Sequence, residues 1–253
     1  MSIANRMNNL GTETAFEVLA KAKALEARGI DVVHLEIGEP DFNTPSHIIE
    51  EAVLSLRDGD THYGPAAGLP ELRTAIADNI KSTRSLAVDP DQVVITPGGK
   101  PIIFFTILAL AQPGDEVIYP NPGFPIYESM IRFCGATPVP VRLLEDEGFH
   151  IDLDDLAAKI SNRTKLLILN SPHNPTGSII STNELKIICE LLEGREDLYV
   201  LSDEIYKDIV YEDHHTSIAS FPDMADRTII LDGFSKSYAM TGWRLGYGIF
   251  PES

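Results

Sequence analysis

Short β-branched and apolar runs recur along the chain, at Gln92 to Thr96, Glu116 to Tyr119, Thr137 to Val141, Lys165 to Leu169, Leu198 to Leu201 and Thr228 to Leu231. Mostly helix-like segments separate them. That alternation predicts an α/β fold, a mostly parallel sheet with helices on both faces. Thr44-Pro45 opens one helix that Gly59 closes, and Ser181 with Glu184 makes a capping-box pattern ahead of Leu185 to Leu192. Residues Thr12 to Gly29 read as an amphipathic helix, with Phe16, Leu19, Ala20, Lys23 and Leu25 near a 3.6-residue period. The longest apolar run, Pro101 to Ala111, is too short to span a bilayer and reads as a buried helix. The pattern contains no internal repeat, low-complexity tract or Pro-rich linker.

Four turns between these elements carry chemistry. SKSYAMTGWRLG, Ser235 to Gly246, holds a lysine with an arginine eight positions later. An amine that condenses with a carbonyl, beside a guanidinium that grips a phosphate with two parallel hydrogen bonds, points to a phosphorylated aldehyde. LSDEIY places Asp203 at the C-terminal end of a strand, where open α/β sheets bind ligands. A carboxylate there can keep a pyridine nitrogen protonated, and Tyr206 can reach a phenolic oxygen of the same ring. Read alone, DEIY is also a good acidic helix start, favoured by the helix dipole. NSPHNPTG, Asn170 to Gly177, has the turn signals of an ordinary loop. Asn174 nevertheless offers donor and acceptor together, suited to a ring hydroxyl and a substrate carboxylate. VVITPGGK runs from strand through a Gly-Gly turn into a helix, whose bare amides at Gly98, Gly99 and Lys100 make a phosphate cradle.

Composition narrows the partners. The 253 residues are 43% hydrophobic, enough for one large core, and 20 Lys plus Arg against 38 Asp plus Glu give a net charge of −18. That balance argues against nucleic acid and anionic membranes, which attract basic patches. Cys134 and Cys189 stand far apart on apolar stretches without a C-x-x-C pattern, and read as buried free thiols in a reducing compartment. The N-terminus lacks the apolar core of a signal peptide, so the expected compartment is cytoplasmic. His214-His215 lie in the polar stretch Glu212 to Ser217, which reads as a surface loop and gives no metal site.

With GEPDFNTP (Gly38 to Pro45), THYGPAAGLPELR (Thr61 to Arg73) and NPGFPIY (Asn121 to Tyr127) added, the chain resembles the class I/II aminotransferases. These are fold type I enzymes that use pyridoxal 5′-phosphate, and the likeness is to their aspartate-aminotransferase-like branch. The resemblance implies transamination of an L-amino acid with a 2-oxo acid. It implies Lys236 as the lysine that bonds to the cofactor and carries the proton, Asp203 on the pyridine nitrogen, and Tyr206 with Asn174 on the ring oxygen. Gly98, Gly99, Lys100, Ser235 and Arg244 would hold the phosphate, and Phe124 would stack on the ring. Gly38, Phe124 and Asn174 would face the substrate. Tyr63 would cross to the phosphate of a neighbouring subunit, which implies a homodimer. Gly233 departs from the pattern, since many relatives carry a phosphate-binding serine there. By the same resemblance, residues 1–45 belong to a small domain and 46–253 to the cofactor domain. The family's C-terminal small domain, with its carboxylate-binding arginine, would lie past Ser253, so the chain is expected to be a fragment that binds cofactor and turns over poorly. A lyase or synthase on the same scaffold, or a catalytically silent ligand-binding remnant, are the alternatives.

Overall fold

The computed structural model of the chain describes residues 3–11, 14–211 and 214–252. Thr12 and Glu13 of the expected first helix, Glu212 of the histidine stretch and the terminal Ser253 lie outside the described residues. The strands are β1 (Val93–Thr96), β2 (Glu116–Asn121), β3 (Thr137–Leu144), β4 (His150–Ile151), β5 (Thr164–Asn170), β6 (Tyr199–Asp203), β7 (Thr228–Gly233) and β8 (Gly246–Ile249). They form one sheet in the order β1-β8-β7-β6-β5-β2-β3-β4. Strands β3, β2, β5, β6 and β7 are mutually parallel, while β8 runs antiparallel between β7 and β1, and β4 antiparallel on β3.

The helices are α1 (Thr14–Glu26), α2 (Ser46–Asp58), α3 (Pro70–Arg84), α4 (Lys100–Leu110), α5 (Ile126–Cys134), α6 (Leu153–Lys159) and α7 (Thr182–Leu191). Successive side chains of a strand point to opposite faces, and the core divides accordingly. Leu166 and Ile168 pack with Ile102, Ile107, Tyr127 and Ile131 of α4 and α5. Leu167 and Leu169 pack with Leu156, Leu185 and Ile188 of α6 and α7. Further along the sheet, Ile76 and Ile80 of α3 cover Ile230, Tyr247 and Ile249. Each strand of the parallel centre is therefore buried on both sides, which explains its unbroken apolar composition.

The six expected strands form, and two more appear. β4 has only two residues. β8 reads GYGI, and glycine is depleted in strands, so its composition hides it. Gly246 is a steric requirement, since a Cβ there would stand 2.6 Å from the Gly98 carbonyl carbon; one on Gly248 would press on the Ile102 side chain, 2.8 Å from its Cδ1.

Helix ends follow the sequence in part. Ser181 Oγ accepts the Glu184 amide at 3.2 Å and Glu184 Oε2 accepts the Ser181 amide at 2.8 Å, the reciprocal capping box, worth about 1 kcal/mol. Gly59 closes α2 in the left-handed region at φ 92. Thr44 does not cap that helix; its hydroxyl donates to the Ala239 carbonyl at 2.6 Å instead. α4 is buried on one face only, with Phe105 and Leu108 exposed on the other. In α1 just Ala22 is buried while Phe16, Val18 and Leu25 face outward, and α2 buries no residue at all. Cys134 and Cys189 are free and only half-buried, because each lies near one end of a helix that covers the sheet. Among the described residues no helix is long and apolar enough to cross a membrane.

The surface-loop expectation holds for His214, which is exposed, and fails for His215. Its side chain is 8% exposed, with Nε2 3.2 Å from Glu204 Oε2. Glu204 draws it inward as part of a buried charge cluster. Arg84, at the end of α3, donates to Glu204 at 2.6 Å and to Asp232 at 2.7 Å. Ser202 and Ser217 hydroxyls donate to Glu204 at 2.9 Å and 2.5 Å, and the Tyr247 hydroxyl donates to Asp232 at 2.9 Å. Burial raises the Glu204 carboxyl, yet the Arg84 charge and the His215 and Ser217 contacts outweigh it and hold the group far below the usual carboxylate range. The cluster ties α3, β6, β7, β8 and the histidine loop together under one end of the sheet.

Candidate active site

That end is where the parallel strands finish, with Asn170 of β5 opposite Asp203 of β6 and Asp203 opposite Leu231 of β7. Asp203 and Glu204 are consecutive, so the extended backbone turns them to opposite sides. Glu204 enters the charge cluster. Asp203, 4% exposed, meets Tyr127, whose hydroxyl donates to Oδ2 at 2.6 Å, and the Ile205 amide, which donates to Oδ1 at 3.3 Å. Burial pushes the carboxyl up to about 6, against the pull of those two donors. Among the described residues no cation pairs with it.

Tyr127 is fully buried near the start of α5, and its ring stands edge-on to Phe124, centroids 5.8 Å apart at 88°. Burial, then the charge of Asp203, raises the Tyr127 phenol well above its ordinary value, so it remains a donor. Sequence reasoning passed over this residue. It sat inside NPGFPIY, but nothing in that motif tells a core tyrosine from one that bonds a carboxylate across the sheet.

Past β5 the chain turns back, with the Asn174 amide donating to Asn170 Oδ1 at 2.9 Å and Asn170 Nδ2 to the Asp203 carbonyl at 3.1 Å. The Asn174 side chain thereby lies beside Tyr206, Nδ2 to hydroxyl 3.4 Å. Tyr206 sits in a turn closed by the Lys207 amide on the Glu204 carbonyl at 2.9 Å. Burial and the Asp203 charge push its phenol up to about 12, with Asn174 opposing. Lys236 Nζ lies 5.5 Å from the centre of the same ring and donates to the Gly38 carbonyl at 3.0 Å. Partial burial lowers the lysine from its ordinary value, and Glu39 counters weakly. The segment after Lys236 is clasped from the N-terminal side: Thr241 donates to Glu39 at 2.9 Å and Trp243 Nε1 to Thr44 at 3.1 Å.

The glycine turn adjoins this group. Gly98 has φ +82, and a Cβ there would fall 2.3 Å from Arg244 Nη2, so the guanidinium lies against bare backbone. Arg244 itself has φ 54 and donates to the Thr241 carbonyl at 2.8 Å. Gly99 caps α4, whose first residue is Lys100, with its Nζ 5.8 Å from the Phe124 ring centre and 5.6 Å from that of Phe16. Ser235 accepts the Met240 amide on its carbonyl at 3.1 Å. Gly233 pairs with Gly246 in the sheet, and a Cβ would stand 3.0 Å from the Gly246 Cα, a tight fit for any side chain. Tyr63 is fully exposed. Most of the sequence-predicted residues thus fall into three groups: Asn174, Tyr206, Lys236 and Gly38; Asp203 with Phe124 through Tyr127, Lys100 lying by Phe124; and Gly98, Gly99 and Arg244. Ser235 and Tyr63 join none of them through a contact described above.

The doubly covered α/β sheet thus carries a lysine, a buried carboxylate and a glycine-arginine contact at its strand ends. A model of the family described as aminotransferase class I and II matches residues 30–253, and the chain belongs to that family. It is 42% identical over 252 residues to a probable aspartate/prephenate aminotransferase of Aquifex aeolicus, covering 99% of this chain and 64% of that protein. It is also 42% identical over 253 residues to a bifunctional aspartate aminotransferase and glutamate/aspartate-prephenate aminotransferase of Petunia hybrida, covering 100% of this chain and 53% of that one. The solved aspartate aminotransferase from Thermus thermophilus with maleate superposes with a TM-score of 0.95 at 39% identity, over 99% of this chain and 65% of its own. The chain thus spans about two thirds or less of the length of these relatives.

Proposed function

We infer that this chain is the cofactor-binding part of a pyridoxal-5′-phosphate-dependent aminotransferase acting between an L-amino acid and a 2-oxo acid, with aspartate and glutamate as the first substrates to try. The observation that carries the reading is Asp203: a buried carboxylate at a strand end, hydrogen-bonded by Tyr127 and facing no cation among the described residues. Such a group suits a protonated ring nitrogen, which would supply the missing charge. The bare backbone at Gly98 against the Arg244 guanidinium suits a phosphate in the same way. The residues therefore fit the cofactor.

Pyridoxal phosphate, when bound, supplies an aldehyde that joins to amines and a ring that takes up an electron pair. The rest is done by this chain. Lys236, lowered by burial, holds an unprotonated Nζ more readily than a surface lysine, so it can attack a carbonyl and later take up the substrate α-proton. Asp203 stabilises positive charge on the ring, and Tyr127 fixes which way its carboxylate faces. Asn174 and Tyr206 would donate to the ring oxygen. Gly98, Gly99, Lys100, Ser235 and Arg244 would hold the phosphate, Phe124 would cover the ring, and Gly38 would face a substrate carboxylate. Tyr63, exposed on its own chain, is suited to reach the site of a second copy in a homodimer.

Product analysis tests the reaction type. With pyridoxal phosphate, ¹⁵N-labelled aspartate and 2-oxoglutarate, the label is expected in glutamate with oxaloacetate formed, in a chain extended to the length of the relatives. Release of labelled ammonia or of an eliminated group would assign the scaffold to a lyase instead.

A further inference from the structure

The loop that carries Asn174 is held by a residue to which the reaction gives no task. His173 is 6% exposed. Its amide donates to the Ser178 carbonyl at 2.8 Å and its carbonyl accepts the Gly177 amide at 2.9 Å, so the backbone folds into a closed turn over residues 173–178. The side chain closes the same turn a second time. Nδ1 lies 2.8 Å from Thr176 Oγ1, which stands 2.9 Å from Ser178 Oγ and accepts the Ser178 amide at 3.3 Å. Thr176 Oγ1 has one proton to give, to Nδ1 or to Ser178 Oγ; given to Nδ1 it goes with the neutral tautomer that carries hydrogen on Nε2. Nε2 is buried without a hydrogen-bond partner among the described residues, and His173 lines a cavity of about 20 Å³, room for about one water molecule.

We propose that His173 is a positioning residue: its Nδ1, accepting from Thr176, locks the 173–178 turn and so holds the Asn174 amide toward Tyr206. The inference rests on the proposed function for the task of Asn174, but not for the clip itself. Burial, which holds the imidazole down at about 4, keeps the acceptor available at any working pH.

Two substitutions separate the two ring nitrogens. His173→Asn keeps a side-chain oxygen near the place of Nδ1, whereas His173→Gln extends its carboxamide to the place of Nε2. Amide hydrogen exchange at Gly177 and Ser178, measured without cofactor, should quicken about tenfold in the Gln variant and stay close to the parent rate in the Asn variant. With pyridoxal phosphate added, the pH midpoint of the bound cofactor's visible absorbance should rise by about one unit in His173→Gln, since the ring oxygen loses a well-placed donor, and recover in His173→Asn. Equal behaviour of the two variants in exchange overturns the clip. Altered exchange with an unmoved midpoint overturns the link to Asn174. Failure of the unsubstituted chain to bind pyridoxal phosphate overturns the functional reading, a result independent of the exchange rates.

Discussion

Asp203→Asn should leave the fold and cofactor binding in place while α-proton exchange falls by roughly two to four orders of magnitude, measured in a chain extended to the relatives' length. The substitution keeps the shape of the side chain and still offers an oxygen to Tyr127, but removes the charge opposite the ring nitrogen. A ring no longer held protonated is a poor acceptor for the electron pair left by the α-proton. Without cofactor the same change acts on stability, and its sign is opposite to that of most carboxylates. The folded value, about 6, lies above the ordinary 3.8, so between those values the native state holds the extra proton and stability falls as pH rises. Above pH 6 the cofactor-free Asn variant should therefore unfold at higher denaturant concentration than the parent chain. Parent-like α-proton exchange in Asp203→Asn would remove the carboxylate from the mechanism.

Arg84→Met should destabilise the chain by about 3–5 kcal/mol in urea unfolding, because it removes the cation shared by Glu204 and Asp232 in a dry site and leaves them only His215 at 3.2 Å and Lys207 at 3.7 Å. Part of the loss should return when Glu204→Gln is added, since a neutral amide is far cheaper to bury than an unpaired carboxylate. The cluster also fixes an acid limit. Glu204 is held below its ordinary 4.5, so its contribution is complete above that pH and is lost as pH falls toward the folded value. The Glu204→Gln variant should show a shallower acid slope. An Arg84→Met chain as stable as the parent would mean that the cluster is not needed to hold α3 on β6 and β7.

The strands of the parallel core are readable because burial on both faces demands short unbroken apolar runs, and the one longer run, Pro101 to Ala111, has the length of a helix. β8 escaped because close approach of the Gly98 backbone and of the Ile102 side chain selects glycine, which reads as a turn. The glycine cradle, Asp203, Asn174, Tyr206 and Lys236 were legible as local motifs at strand ends. The groups that orient them were not. Tyr127 reaches Asp203 from 76 positions away, and Arg84 reaches Glu204 across 120, contacts that no short pattern encodes. His215 illustrates the opposite failure: a polar neighbourhood in sequence suggested exposure, but one carboxylate drew the ring inward. The apolar period of α1 is legible in the sequence, but that its Phe16, Val18 and Leu25 stay exposed, and that α2 buries no residue, follows from no local pattern.

The central claim is that Lys236 is the amine that bonds to pyridoxal phosphate. Incubation of the chain with the cofactor, borohydride reduction and peptide mass mapping tests it directly. A single pyridoxyl-phosphate adduct on Lys236 is the predicted result, and an adduct on Lys100 or spread over surface lysines would contradict it.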